Sequence, residues 1–323
     1  MMINYQSRKA GITFTMLFFI AGIALLGLFY SINRIVEPTL TFKNTLQCCP
    51  DLVSNCLLYL AMVNSIIPWI GIGILFLGLL NGLPRLILSI AKSLRFAKRL
   101  ETLKIKGAVY SRIKRLISDD GLFKRIVIFD DIRTHNAFTI GLFKPGVYLS
   151  ASLCKRLKNE ELKAVILHEA HHMKKYDPLR LLIVAFISDI FFFIPLSRYL
   201  KALFISSKEK AADDAAVAAS KKPLELASAL IKLLRSKNDL ILNPTAIWEP
   251  GSPAERIHRL INPKMDKSPD FSILKSAVSF LIVVVLVGML TLPSFAAKLP
   301  ILGTTNCRSS HILIIDDIKD NAK

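Results

Sequence analysis

Residues 168 to 172 read HEAHH, inside the stretch NEELKAVILHEAHHMKKYDP. On a helix, His168 and His172 stand four residues apart, project from one face and can share a metal ion. Glu169 lies about 100° round from His168. That is near enough to take a proton from a metal-activated water without being a ligand. His171 points elsewhere. A hydrolytic zinc site takes three protein ligands, so one is still needed. The pattern with Gly three and His six residues after the second histidine fails, because Lys175 and Pro178 occupy those places. The other histidines are His135, His258 and His311. Downstream, KEKAADDAAVAAS sets Glu209 and Asp213 four residues apart on an alanine-rich, helix-favouring stretch. Glu209 would complete the set, and Asp213, one turn on, could accept the free N–H of a ligating imidazole and fix its tautomer. An isolated HExxH occurs by chance in unrelated helices, and a lone Glu/Asp pair reads as a solvated helix face. Together they point to one zinc ion per chain, with Glu169 as general base in amide hydrolysis.

These residues need a scaffold, and the stretch between 85 and 272 is long enough to supply it. LETLKIKGAVYSRIKRLISDD shows apolar residues at helical spacing. RIVIFDD, NAFTIG and GVYLS are short β-rich runs separated by turn residues that include Lys144-Pro145-Gly146, which predicts a small sheet. Asn159 reads as an N-cap, with Glu160 and Glu161 in the first turn of the motif helix. Asn136, Ala137 and Phe138 fall on what reads as an edge strand, able to receive an extended substrate by strand addition or to be an ordinary sheet edge. In ERIHRL, Arg256 or His258 could supply a cation to a tetrahedral oxyanion, or simply end a surface helix.

Composition places this scaffold at a bilayer. The chain has 323 residues, 52% of them hydrophobic, and a mean hydropathy of +0.45, beyond the range of ordinary soluble domains. Ala10 to Asn33, Leu52 to Pro84 and Ser276 to Ala297 are free of charge, and each can supply the roughly 20 apolar residues of a spanning helix. Spans are expected near 11–31, 57–80 and 274–296. The first follows Arg8 and Lys9, but its apolar run is too long for a signal peptide and no small-residue cleavage site follows, so it reads as a retained anchor. Between Arg85 and Arg125 there are twelve Lys or Arg against Glu101, Asp119 and Asp120, so this segment lies on the cytoplasmic side. The net charge of +19 is thereby explained by a face held against anionic headgroups, not by direct nucleic-acid binding. The expected organisation is 1–84 with two spans and a short outer loop, 85–272 as a cytoplasmic catalytic domain, 273–297 as a third span, and 298–323 as a short outer tail. The expected setting is a cytoplasmic membrane crossed several times. Cys48, Cys49, Cys56 and Cys307 then fall outside, as disulfides or free thiols, and Cys154 inside.

One segment constrains this topology. RLLIVAFISDIFFFIPL, from Arg180 to Leu196, cannot be a simple span, since His168 and Glu209 would then face opposite sides. Asp189 divides it into runs too short to cross. A helix or hairpin in the interface, or packed on the catalytic core, is expected, with Asp189 in a structural contact.

GLFKPGVYLS, HEAHHMKKYDPL, FFFIPLSRYL and EKAADDAAV occur in an order and spacing that resembles the BlaR/MecR antirepressor-type membrane metallopeptidases and, more distantly, the HtpX and CAAX-prenyl-protease type. The likeness covers roughly 105 to 262. It implies an α+β gluzincin-like domain, mostly helical with a small sheet, on a membrane α-helical protein. It further implies zinc on His168, His172 and Glu209, catalysis by Glu169, and Asp213 behind a ligand. A cysteine usual before that aspartate in the first type is Ala212 here, and ERIHRL lacks the His-Pro that usually precedes it in the second. With 26 residues after Ala297, β-lactam sensing by a penicillin-binding domain is not expected of this chain. The expected activity is endopeptidase cleavage of a protein substrate the sequence does not name. A repressor or a damaged membrane protein would fit. A non-catalytic membrane scaffold is the alternative, which an intact Glu169 argues against.

Overall fold

In the computed structural model, the described residues are 3–35, 52–130, 136–237, 252–262 and six residues between 278 and 285. The apolar runs at the start of the chain form two long helices, α1 (Ile3–Ile35) and α2 (Leu52–Thr102). One stretch among the described residues, Trp69–Thr102 of α2, is long and apolar enough to cross a membrane by length and composition. Its Leu77, Leu80, Leu83, Ile87 and Leu88 are exposed, a surface that suits lipid better than water. α2 runs well past the end expected at 80, and α1 begins before the expected 11. The third expected span, the outer loop, the tail and Cys48, Cys49 and Cys307 fall wholly or largely outside the described residues, as does the side chain of Cys56.

The chain divides into two compact units. One takes in Met1–Ala21 and Leu77–Ser279; the other takes in Gly22–Phe76 and Phe280–Lys323, of which the described part is helical. The first unit carries the sheet and every motif residue. The helical pattern expected across 100–120 is broken. After α2, Leu103 to Ile105 lie extended beside the first strand, with Ile105 N–H donating to Ile128 O at 2.9 Å and Asp130 N–H to Leu103 O at 3.0 Å. Helix resumes as α3 (Ala108–Leu116) and a single turn, α4 (Asp120–Phe123). Pairing to a strand wins locally over helical periodicity.

The β-rich runs form β1 (Ile126–Phe129), β2 (Ala137–Ile140) and β3 (Gly146–Ser150) in a sheet of order β1-β3-β2. β1 runs parallel to β3 and β2 antiparallel to it, so the sheet is mixed and β2 forms an edge. Gly141, at φ +112, turns the β2–β3 hairpin; a Cβ there would meet Lys144 O at 2.6 Å. Ser150 ends β3 and caps the short α5 (Ala151–Arg156) by accepting from Leu153 N–H, and it also holds β2 by accepting from Asn136 N–H at 3.1 Å.

The motif helix is α6 (Asn159–Lys174). Its cap differs from expectation. Asn159 is the first helical residue and its side-chain oxygen accepts from Arg112 Nε–H at 2.7 Å, whereas Glu161 reaches back to accept from Lys158 N–H at 2.8 Å. One face of α6 fills the main core with Leu162, Val165 and Ile166 against Ile128, Val147, Leu149 and Leu153. Then α7 (Asp177–Ile190) and α8 (Pro195–Ser220) form a helical hairpin, closed by Phe191–Ile194. The segment 180–196 supplies most of α7, the turn and the start of α8 within the catalytic unit, and the return along α8 brings Glu209 back alongside α6. Asp189 makes a structural contact with Arg85 at 3.4 Å. Gly78 of α2 lies against the Ile190 carbonyl at the hairpin tip, so closely that a Cβ would collide with it. α9 (Pro223–Lys237) packs on α6 and on α10 (Pro253–Ile261), with Ala164, Ala216, Leu226, Ala227 and Leu260 between them. Cys154 is free and buried, its thiol pushed up to about 12 by burial.

Candidate metal centre

Alanine spacing lets the ligand-bearing helices approach. Ala164 on α6 and Ala211, Ala212 and Ala216 on α8 are all buried, so α8 lies close enough for Glu209 to reach α6. His168 Nε2 and His172 Nε2 stand 3.2 Å apart. Glu209 Oε2 is 3.5 Å from His168 Nε2, and Glu209 Oε1 is 3.6 Å from His172 Nε2. Metal–ligand bonds of about 2.0–2.2 Å at tetrahedral angles put ligand atoms roughly 3.3–3.6 Å from one another. The triad therefore has the spacing and donor chemistry of a two-His, one-carboxylate zinc site. His171, on the other side of α6, lines a separate smaller cavity with Lys163 and Lys174. Burial, then the neighbouring His172, pushes its pKa down to about 4.

Each imidazole has a buried carboxylate beside its Nδ1, in a hydrogen bond at His172 and at ion-pair distance at His168. His168 Nδ1 lies 3.0 Å from Asp213 Oδ1, and His172 Nδ1 lies 2.7 Å from Asp177 Oδ2. Burial alone would depress both histidines, but these carboxylates together with Glu209 outweigh it: His168 is raised, and His172 is raised to about 9. Burial opposes ionisation of Glu209 and Asp213 too, yet His168, His172 and Arg256 hold the Glu209 carboxyl, and Arg256 and His168 that of Asp213, well below the usual range.

Arg256, which the sequence offered for an oxyanion, is already engaged. Its Nε and Nη2 donate to both oxygens of Asp213 at 2.9 and 2.7 Å, and Nη1 is 3.0 Å from Glu209 Oε2. It lines the cleft, but its fork is spent on the two carboxylates that build the site. His258 is not brought to the site; it is exposed on another face of α10. His135 and His311 lie outside the described residues.

Glu169 faces β2. Thr139 Oγ1 lies 2.9 Å from both Glu169 Oε2 and Glu169 O, so one hydroxyl ties the carboxylate to the edge strand. Asn136, Ala137, Phe138 and Thr139 line one side of a cleft of about 510 Å³ that also holds His168, Glu169, His172 and Glu209. Much of the remaining lining is apolar, with Val165 of α6 and Leu226, Leu230, Leu233 and Leu234 of α9. Lys208 Nζ sits 2.7 Å from Glu209 Oε1.

Sequence reasoning missed Asp177, Thr139 and Lys208. Asp177 was legible in part: the Tyr-Asp-Pro after the motif is a break, with Tyr176 in the left-handed region at φ 54 and Pro178 opening α7. That break turns Asp177 back under His172. Thr139 lies in the same NAFTIG run as the strand residues singled out, but nothing local to it tells which helical carboxylate it meets.

Residues 61–262 match the family model described as BlaR1 peptidase M56. A segment of 129 residues is 30% identical to proteins described as Protease HtpX homolog from two strains of Bacteroides fragilis, covering 39% of this chain and 39% of theirs. The similarity thus spans well under half the length of those relatives.

Proposed function

The chain belongs to the BlaR1 peptidase M56 family, and from that premise we propose that it is a membrane-anchored, zinc-dependent endopeptidase that cleaves a cytoplasmic or membrane protein. The observation that carries this reading is the placement of His168, His172 and Glu209 at zinc-ligand spacing in one cleft, beside Glu169 and the edge of β2. Those three residues would hold the ion, which when bound supplies a Lewis acid for the scissile carbonyl and makes water nucleophilic near neutral pH. The remaining work falls to the chain. Glu169 takes the proton of the attacking water at its carboxylate and returns it to the leaving amine. Thr139 keeps that carboxylate aimed into the cleft. Asp213 and Asp177 hold the imidazoles in the tautomer that presents Nε2. The edge of β2 at Asn136–Phe138 aligns an extended substrate, and the leucines of α9 help keep water from it.

The substrate reading is regulatory cleavage of a repressor-like protein. The similarity to HtpX homologues supports quality-control proteolysis of membrane proteins as a second reading. Glu169→Gln tests the shared core. It is nearly isosteric and leaves all three ligands in place. In cells, labelling of new protein N-termini should show cleavage slowed by roughly 10²-fold to 10⁴-fold, with uncut substrate accumulating on the variant. Unchanged turnover of every membrane and cytoplasmic protein in cells carrying Glu169→Gln would refute the peptidase reading.

A further inference from the structure

Arg180 connects two parts of the molecule that the proposed mechanism leaves separate. It lies on the first turn of α7, three residues after Asp177, and its Nη1 is 3.3 Å from Asp177 Oδ1. Asp177 gives its other oxygen to His172 Nδ1 at 2.7 Å and is 3% exposed, so it has no water to fall back on. The other end of the Arg180 guanidinium reaches α1: Nη2 donates to the Ala10 carbonyl at 3.5 Å, and the Cζ atom lies 5.1 Å from the ring centroid of Phe14. It is equally 5.1 Å from the ring of Phe204, fully buried on α8, so the guanidinium rests against two neighbouring aromatic rings, one from each helix. The two rings are themselves in contact, with centroids 6.1 Å apart.

These contacts join three elements: α1 through Ala10 and Phe14, α8 through Phe204, and the start of α7 itself through Asp177. A shift of α1 along its axis would take Phe14 from the guanidinium, and the guanidinium from Asp177. Asp177 would then be free to rotate, and His172 would lose the acceptor that fixes its Nδ1–H and its ring plane. Carboxylates in that position tune metal affinity strongly.

We propose that Arg180 is a positioning residue that couples the placement of the N-terminal helix to the geometry of the metal site, through Asp177 and His172. The inference rests on the zinc assignment made above. Its consequence is that α1, an apolar helix whose outer face is exposed at Met16, Phe18 and Phe19, sets how tightly the site holds its ion. A change felt by α1 in the membrane is thereby read out at His172.

The test uses the full-length protein in detergent and zinc alone, titrated against a chromogenic chelator, with cobalt(II) as a spectroscopic stand-in for zinc. Asp177→Asn should weaken zinc binding roughly 10-fold to 100-fold. Phe14→Leu, which keeps apolar bulk but removes the ring from under the guanidinium, and Arg180→Lys, which keeps the charge but not the planar fork, should each weaken it by roughly 2-fold to 30-fold. Both should also shift the cobalt d–d absorption. The Phe14→Leu/Arg180→Lys double variant should be no weaker than Arg180→Lys alone, because the two changes break one connection. Melting of the zinc-free variants, followed by circular dichroism, separates coupling from unfolding: the affinity losses should stand where the melting temperatures agree. Wild-type affinity and an unshifted cobalt spectrum in both Phe14→Leu and Arg180→Lys, with Asp177→Asn weakened, would overturn the coupling and leave the zinc site standing. So would losses that track melting alone. Glu209→Ala is the control for the site itself. Full zinc binding by that variant would overturn the zinc assignment, and the coupling with it.

Discussion

Glu169 is useful only if its carboxylate stays beside the ligand pair, and Thr139 is what holds it there at 2.9 Å. Thr139→Val removes the hydroxyl and keeps the branched shape. Losing one hydrogen bond to a charged group costs about 1.5 kcal/mol, which predicts a fall in kcat of roughly tenfold with zinc content unchanged. Peptide cleavage and metal analysis on the same preparation check it. A variant that loses zinc instead would show that Thr139 supports the ligands and not the base. HEAHH and the later Glu209–Asp213 pair could be read from the sequence because helical spacing is a local property, and the structure brings those side chains to one place. Arg256 was legible as a cation near the site but not as the partner of Asp213 and Glu209, since that pairing is decided by how α10 docks on α8. The partners of Asp177 and Thr139 were illegible for the same reason, although the Tyr-Asp-Pro break around Asp177 was visible. Each meets its histidine or glutamate through a turn or a strand edge, where spacing along the chain carries no information.

The helix that carries the motif is anchored at its start by one buried glutamate. Glu161 accepts from Lys158 N–H, Ser228 Oγ and Lys232 Nζ, tying the N-terminus of α6 to α9, and is 2% exposed. Burial disfavours its charged form, but Lys232, Ser228 and the Lys158 amide outweigh that and leave its pKa lowered. A carboxylate with a depressed folded pKa contributes stability that is present above the unfolded value of about 4.3. That contribution is lost as pH falls through the folded value. Glu161→Gln should therefore lower the melting temperature by about 5 °C at pH 7, for about 1.5 kcal/mol lost. The gap to wild type should close as the pH drops below 4.3. A gap that stays constant to acid would assign the effect to shape and not charge. The three β-runs were legible from alternation and turn residues. The break of the helical pattern near 103–105 was not, because β1 recruits those residues as a pairing partner and no local signal competes with it. The 180–196 segment could be excluded as a span by the demand that His168 and Glu209 share one side, and it forms most of α7 and the turn into α8.

At the scale of the whole molecule, the cluster of Lys and Arg from Arg85 to Arg125 follows directly on the apolar part of α2. Our reading is that residues 85–272 are a cytoplasmic catalytic domain between membrane spans. A reporter fused at Ser220 should behave as cytoplasmic, and one fused at Lys323 as external; an external Ser220 reporter would reverse the orientation. Composition announced a membrane protein because charge-free runs are visible without structure. The ends of the helices were not visible, since α2 continues as helix beyond the apolar run into its basic segment. Everything in this account depends on three side chains holding one ion in the cleft, so the most direct measurement is the zinc content of the purified protein. Wild type should hold about one zinc per chain, as a three-ligand catalytic site does. Glu169→Gln should keep it and Glu209→Ala should lose most of it. A wild type without zinc, or a Glu209→Ala variant with a full complement, would contradict the account.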